Sequence, residues 1–211
     1  MFILENKAFF YHTQKYENIM TFQQEEKPAY VFKLCLIGNG GVGKTCIARR
    51  LCFDTFDANT KLTIGIDFYT YDMPIIINSE EEFIRFSIWD FGGQEQFKKM
   101  FSYYINGANG IFLVFSLYNL NNTLLGLDWW NNHLQKLVHQ DTPKMLIGCK
   151  LDLIKDKKKV DELVVENFRK KQNNIPYFET SSKENINIRK IFAEMAKEIL
   201  DKNEFPYDKI V

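Results

Sequence analysis

The feature that most constrains this chain is a glycine-rich segment that fits the pattern G-x-x-x-x-G-K-[ST]. The segment consists of Gly38, Asn39, Gly40, Gly41, Val42, Gly43, Lys44 and Thr45. An apolar run precedes it at 31–37 and helix-compatible residues follow it at 46–53, so the sequence predicts the strand, loop and helix that this pattern requires. Backbone N–H groups can converge on a phosphate only where side chains do not crowd the turn, and glycines meet that requirement. We therefore predict a phosphate-binding loop (P-loop).

Three residues at the end of the P-loop carry its predicted chemistry. Lys44 supplies a positive charge for the β- and γ-phosphates, and the hydroxyl of Thr45 is a ligand for Mg²⁺. The helix that opens with Lys44, Thr45 and Cys46 directs the positive end of its dipole at the anion. A glycine-rich turn without a ligand is the alternative interpretation, and the match of all the motif positions together with both flanks argues against it.

A second loop follows the strand predicted at 83–89, where apolar residues alternate. Asp90 ends that strand, and Gly93 and Gln94 come next. Asp90 is suited to hold magnesium, the uncrowded N–H of Gly93 to meet a γ-phosphate, and Gln94 to orient a water molecule. The stretch 63–77 is predicted to form a hairpin with the strand at 83–89, which follows it in the chain. The same loop pattern without a P-loop before it would be weak evidence.

Short continuous apolar runs at 110–115 and 145–148 are typical of parallel strands covered on both faces. Helical patterns at 127–137 and 188–199 separate and follow them. The sequence therefore predicts an α/β fold with a mostly parallel sheet, in which 63–77 is the antiparallel edge strand. Ligands of such folds bind at the carboxyl ends of the strands.

Two further loops at predicted strand ends favour guanine as the base. The first contains Cys149, Lys150 and Asp152, and the second contains Ser181, Ser182 and Lys183. A carboxylate such as Asp152 accepts two hydrogen bonds, which matches the N1–H and amino group of guanine and not adenine. A solvated loop would be the preferred interpretation if the P-loop were absent.

With these motifs in order, residues 31 to about 200 resemble the Ras-like small GTPases. The resemblance implies a three-layer G domain of the P-loop NTPase class, with six strands, that binds GTP or GDP with Mg²⁺. It implies that Thr63 joins Thr45 and Asp90 as a magnesium ligand and that Phe56 packs on the base. The segment 63–68 is Rab-like, whereas WDFGGQ at 89–94 is closer to the Arf branch; this mixture is similar to that of some archaeal small GTPases.

The chain also departs from the family pattern. Cys149 stands where the family has asparagine and lacks the amide that ties the base to the P-loop, so somewhat weaker guanine binding is expected. Ser182 replaces an alanine that acts through its backbone N–H, which should be harmless. Thr60 replaces a tyrosine that covers the phosphates, so a looser lid is expected. Lys61 is the only basic residue of the loop before Thr63, so no arginine finger is provided in cis.

The expected function is a molecular switch that hydrolyses GTP slowly, with vesicle trafficking or signalling as its setting. Gln94, Lys44 and Gly93 are the expected catalytic residues. An activating protein, an exchange factor and effectors are the expected partners. We predict an effector face formed by residues 64–68, Phe97, Phe101 and Tyr103. The alternatives are a catalytically weak scaffold (pseudo-GTPase) and, third, a P-loop kinase or ATPase.

Composition bounds the rest of the prediction. Lys and Arg together number 27, as do Asp and Glu, so no overall field favours nucleic acid. The four cysteines show no metal-binding spacing, which fits a reducing, cytoplasmic location. The protein is expected to be a monomer.

The chain is divided into an extension (1–30), a G domain (31–202) and a short tail (203–211). The extension has three open interpretations: a partly ordered segment packed on the domain, a start site set too early with Met20 as the true first residue, or an amphipathic docking segment. The tail contains no cysteine, so no C-terminal lipid anchor is expected, and peripheral membrane association is expected to depend on the extension or on a partner.

Overall fold

The computed structural model describes residues 27–155 and 162–211, apart from the side chains of residues 99 and 100. Seven strands form one sheet in the order β6-β5-β4-β1-β3-β2-β7. Their bounds are β1 Tyr30–Ile37, β2 Ile66–Ile77, β3 Glu80–Phe91, β4 Gly110–Ser116, β5 Lys144–Cys149, β6 Tyr177–Glu179 and β7 Lys209–Ile210. The pairs β1·β3, β1·β4, β4·β5 and β5·β6 are parallel, as predicted.

Within the described ranges, six α-helices connect the strands and cover both faces of the sheet. They are α1 Lys44–Phe53, α2 Lys98–Tyr104, α3 Leu120–Leu125, α4 Leu127–Leu137, α5 Glu162–Lys171 and α6 Ile188–Lys202. One apolar core lies between the sheet and α1 and α6, and a second lies between the sheet and α2 to α5. The predicted three-layer α/β fold is therefore confirmed.

The predicted number of six strands is wrong, because the chain adds a seventh strand at the sheet edge. In β7, Lys209 pairs with Ile76 and Ile210 with Ile75, antiparallel to β2. A strand of two residues has no apolar alternation that a sequence pattern can detect. β2 still runs against the other strands, as predicted, but β7 takes the edge.

The segment that leads into β7 is fastened at several points. The ring of Phe205 stacks on that of Tyr30, with centroids 5.0 Å apart. The backbone N–H of Asp208 donates to the carbonyl of Ile76 (2.7 Å), and the Asp208 carboxylate accepts from the N–H of Ser79 (2.8 Å). These contacts join the C-terminal residues to the open side of β2 and to the turn that follows it.

The predicted hairpin is confirmed and consists of β2 and β3, which pair antiparallel from Ile66↔Phe91 to Ile77↔Glu80. Its turn is only two residues long. Asn78 and Ser79 both have positive φ angles, 52° and 67°, which is the requirement of the tight turn whose twist matches a hairpin. The long β3 delivers Asp90 to the carboxyl end of the sheet.

One residue of the predicted effector face is misassigned. Phe101 is buried, with 1% of its surface exposed, and packs edge-on against Trp130 at 5.1 Å. Its position on α2 directs it into the core, whereas Tyr103, two residues later, is 80% exposed. Residues two apart on a helix lie on different faces, so both could not belong to one surface.

Residues 1–26 of the predicted extension (1–30), on which its three interpretations depend, lie outside the described residues. Within the described part of the chain, no helix combines the length and apolar character needed to cross a lipid bilayer.

Candidate functional site

A cavity of about 390 Å³ opens at the carboxyl ends of the strands, a volume within the usual range for small-molecule sites. Most of the residues predicted from the motifs line it: Gly40, Gly41, Gly43, Lys44, Thr45, Cys46, Phe56, Thr63, Gly93, Gln94, Cys149, Lys150, Asp152, Ser182 and Lys183. The structure therefore brings together five segments, the first and last of which, at Gly40 and Lys183, lie 143 residues apart in sequence.

Five predicted site residues do not line the cavity and lie behind it. Gly38 and Asn39 present backbone carbonyls to Lys44, and Val42 is buried in the core. The carboxylate of Asp90 lies beneath the two threonines, and the hydroxyl of Ser181 supports Asp152. Except for Val42, these residues act on the residues that do line the cavity.

The P-loop is packed so closely that two glycines are required. A side-chain carbon at Gly38 would lie 2.1 Å from the carbonyl oxygen of Val114. A side-chain carbon at Gly93, in the loop after β3, would lie 2.3 Å from backbone atoms of Gly38, Asn39 and Gly40. The loop after β3 therefore rests directly on the P-loop backbone.

Lys44 is buried beneath the P-loop. Its ammonium donates to the carbonyls of Gly38 and Asn39, both at 2.8 Å. Burial lowers the pKa of Lys44 to about 8, although the negative charge of Asp90 acts in the opposite direction. A buried cation favours binding of an anion in the cavity, because the anion replaces the solvation that burial removed.

Thr45, Thr63 and Asp90 form a compact oxygen cluster. The two threonine hydroxyl oxygens are 2.8 Å apart, and they lie 2.5 and 3.1 Å respectively from Oδ2 of Asp90. The other carboxylate oxygen, Oδ1, is buried and has no hydrogen-bond partner. Burial raises the pKa of Asp90, and the nearby charge of Lys44 opposes that rise.

The cluster fits a magnesium ion. Mg²⁺ binds oxygen ligands in an octahedron at about 2.0–2.1 Å, so neighbouring ligand oxygens lie about 2.9 Å apart. The separation of the Thr45 and Thr63 hydroxyls, 2.8 Å, matches that edge. The unpartnered Oδ1 of Asp90 is an acceptor for a metal-bound water. The described residues contain no group of three or more His, Cys, Asp or Glu side chains that could hold a metal.

Gln94 lies at the mouth of the cavity beside the P-loop. Its Cγ is 3.8 Å from the position of a side-chain carbon built on Gly40. The loops before and after the β2–β3 hairpin also contact each other, since Gly92 N–H donates to the Gly65 carbonyl at 2.8 Å. Thr63 and Gln94 are thus held on the two sides of one gap.

The base end of the cavity is formed by side chains on two loops. The Lys150 ammonium donates to the carbonyl of Gly41 at 2.7 Å, which ties this loop to the P-loop. The hydroxyl of Ser181 donates to Oδ1 of Asp152 at 2.7 Å. Arg50, on α1, holds the second loop through the carbonyl of Ser182 at 2.7 Å. Asp152 is therefore oriented toward the cavity it lines.

Cys149 fills a packing position between the P-loop and the second base loop. A side-chain carbon built on Gly43 would lie 3.5 Å from its sulfur, and the Thr180 hydroxyl donates to that sulfur at 3.6 Å. Burial raises the pKa of the Cys149 thiol to about 12, so it is neutral at physiological pH. The thiol supplies contact where an amide would supply hydrogen bonds.

Sequence reasoning did not identify several cavity residues as lining: Asp57, Ala58, Thr60, Lys61, Leu62 and Leu153. All except Leu153 belong to the loop between α1 and β2, whose composition shows no periodicity. The signal that could have identified them is their position in the sequence, directly next to predicted site residues such as Phe56, Thr63 and Asp152. A further unpredicted contact is that of the Asn39 side chain with Gly126, where a side-chain carbon would lie 2.1 Å from Nδ2.

The fold and the site define a Ras-type G domain. Comparison with known proteins agrees: the Ras family model matches residues 33–201. The Ras-related protein Rab-10 of Diplobatis ommata is 37% identical over 172 residues, which cover 82% of this chain and 82% of that protein. The GTP-binding protein ypt1 of Schizosaccharomyces pombe is 33% identical over 173 residues, with 82% of each chain covered. The chain belongs to the Ras family of small GTPases, as its motifs predicted.

Membership of this family makes the chain a small GTPase of the switch type, with GTP hydrolysis as the family activity. The GTP-binding protein YPT1 of Saccharomyces cerevisiae is also similar, 34% identical over 170 residues, covering 81% of this chain and 79% of the relative. Neither these relatives nor the geometry supports the pseudo-GTPase alternative.

Proposed function

We propose that this protein binds GTP and GDP together with Mg²⁺ and hydrolyses GTP slowly. The observation that carries the proposal is the cluster of Thr45, Thr63 and Asp90 directly beside the buried Lys44 ammonium. A buried cation beside clustered hydroxyl and carboxylate oxygens is what a magnesium-bound phosphate chain requires.

The base of the nucleotide is read by Asp152. Its carboxylate accepts a hydrogen bond from Ser181 and lines the cavity, so acceptor capacity remains for the N1–H and amino group of guanine. Adenine offers no donor at N1 and would leave the charge of Asp152 unpaired. Phe56 also lines the cavity and packs on the base.

Thr45 and Thr63 would hold the magnesium ion through their hydroxyls, and Asp90 would hold it through a water on Oδ1. When bound, the ion neutralises charge that develops on the phosphate oxygens. Lys44 contributes a second positive charge, and the N–H of Gly93 contributes a hydrogen bond. These groups are fixed before reaction, so little reorganisation is needed.

Hydrolysis depends on Gln94, whose side chain orients the attacking water at the mouth of the cavity. The loop between residues 54 and 65 contains no arginine, and its basic residue Lys61 is exposed. Without a guanidinium next to the γ-phosphate, turnover is slow, and an activating protein supplies the missing charge. Because Gly40 has no side chain, it leaves room for a charged group of the activating protein to reach the γ-phosphate.

The switch consists of the loops at 60–65 and 92–97. With the γ-phosphate present, Thr63 and Gly93 are held at the cavity; after its loss, both loops relax. The face that reports the change to effectors includes Ile64 and Phe68, exposed by 80% and 61% respectively. Phe68 packs edge-on against Trp89 at 4.6 Å, which extends the apolar face onto β3. An exchange factor acts on the same loops. The proposed setting is vesicle trafficking in the cytoplasm, with peripheral membrane contact through a partner.

The test begins with mass spectrometry of the nucleotide released from purified protein. We expect guanine nucleotide. GTP turnover is then compared for the parent, Gln94→Leu and the matched control Gln135→Leu, an exposed glutamine on α4. We expect Gln94→Leu alone to slow turnover by at least about tenfold. Guanine nucleotide with turnover that Gln94→Leu leaves unchanged would refute the assignment of Gln94, and bound adenine nucleotide would refute that of Asp152.

A further inference from the structure

Leu62 is an apolar side chain in the loop before β2, and it lies over the P-loop. Its Cδ2 is 3.7 Å from the positions of side-chain carbons built on Gly40 and on Gly41. It also lines the cavity and is 52% exposed. Since Gly40 and Gly41 have no side chains, Leu62 supplies the apolar surface over this part of the loop.

The position of Leu62 is set by the residues that follow it. The Thr63 hydroxyl lies 2.8 Å from that of Thr45 and 3.1 Å from Oδ2 of Asp90. Two residues further, the Gly65 carbonyl accepts from Gly92 N–H at 2.8 Å. The contacts of Thr63 and Gly65 therefore hold the backbone on the C-terminal side of Leu62 next to the P-loop.

Thr60, at the position of the family's phosphate-covering tyrosine, does not provide this surface. Its hydroxyl donates to the Asp57 carbonyl at 2.6 Å, and its N–H also bonds that carbonyl, at 3.2 Å. The side chain is thus engaged in its own turn. The cover over the P-loop comes from a residue two positions later, of a different chemical type.

We propose that Leu62 selects the triphosphate state by closing over the first half of the P-loop when Thr63 is engaged. An apolar side chain there excludes water from the backbone N–H groups that hold the phosphates, which strengthens those hydrogen bonds and delays nucleotide release. The diphosphate does not hold Thr63 through a γ-phosphate, so it gains little from the cover. This inference rests on the proposed function.

Release rates of two fluorescent nucleotides test the proposal, one a non-hydrolysable GTP analogue and the other a GDP analogue, each with Mg²⁺. The variants are Leu62→Ser, which removes the apolar cover, and Leu62→Met, which keeps its volume and apolar character. Leu163→Ser is the matched control, since Leu163 lies on α5, is 68% exposed and is not a residue of this cavity.

We expect Leu62→Ser to release the triphosphate analogue about three- to tenfold faster, the effect of uncovering half of a leucine side chain, and to change GDP release by less than about twofold. Leu62→Met should restore the parent rate. Equal acceleration for both nucleotides, or no acceleration, would overturn the proposal. A thermal melt of each variant identifies loss of folding. If Leu62→Ser does not fold, the triphosphate release rate of Leu62→Met decides, because an apolar cover requires that rate to match the parent's.

Failure of the proposed function would look different. If the parent protein bound neither guanine analogue, the proposed function and this inference would both fall before any variant was compared. If the parent bound both analogues and Leu62→Ser released each of them at the parent rate, the proposed function would stand and the inference alone would fail.

Discussion

The two ends of the cavity, which we propose to hold the phosphates and the base of a nucleotide, are built in different ways. At the phosphate end, backbone packing and buried charge fix the geometry: Gly93 rests on the P-loop, and Lys44 and Asp90 are buried beneath it. At the base end, the side chains of Lys150 and Asp152 project from loops and are only half-buried. The phosphate end has almost no freedom for substitution, whereas the base end can absorb a change such as Cys149. The phosphate end should set how tightly any nucleotide binds, and the base end which one.

The largest expected effect tests the base end. Asp152→Asn replaces one acceptor oxygen by a donor, so it can no longer accept from both guanine groups. We expect the preference for GDP over ADP to fall from about 10⁴-fold to below about 10²-fold. Competition binding of the two diphosphates measures the ratio. If the ratio did not change while the affinity for both fell, the division of roles between the two ends would be wrong.

The next effect tests the phosphate end. Lys44→Met removes the buried ammonium and keeps most of the apolar stem. We expect the affinity for GDP to fall by about 10- to 100-fold, the value of charge-assisted hydrogen bonds, with no change in the preference for guanine over adenine. Calorimetric titration gives both values. Lys190→Met, on the exposed face of α6, is the matched control. A loss of base preference in Lys44→Met would contradict the comparison.

The smallest effect concerns the position that departs from the family pattern. Cys149→Asn would return an amide to a site that now offers a neutral thiol. One recovered hydrogen bond corresponds to about 1 kcal/mol, so we expect the affinity for GDP to rise by about fivefold. Cys149→Ser separates recovery of the amide from loss of the sulfur. If Cys149→Asn weakened binding, the packing of this position against Gly43 would matter more than the missing hydrogen bond.

Residues whose role depends on a short motif could be predicted from the sequence. The P-loop, Asp90, Gly93 and Asp152 each stand at the end of an apolar run, and the carboxyl ends of neighbouring strands must meet. That rule alone was sufficient to bring these segments to one cavity. The three-layer fold followed from the same runs and from the helical stripes between them.

The remaining features depend on packing that a local pattern does not encode. Leu62 lies in a loop without hydrophobic periodicity, and its position over Gly40 depends on the hydroxyl contacts of Thr63. Phe101 is apolar near the predicted switch, and only the direction of α2 decides that it is buried. The link between the P-loop and the base loop, expected to be weakened at Cys149, is made by Lys150 through the carbonyl of Gly41.

The two-residue strand β7 determines how the β2–β3 hairpin can move. The residues on either side of β7 bond to β2: Asp208 N–H donates to the Ile76 carbonyl, and Val211 N–H donates to the Pro74 carbonyl (3.0 Å). These hydrogen bonds fasten the end of the hairpin that is far from the cavity. Sliding the hairpin along β1 by one residue would shear these bonds and reverse the face of every side chain on it. These bonds fix the register of the hairpin at that end, so we expect the motion of the switch to arise in the two loops where the hairpin meets the cavity.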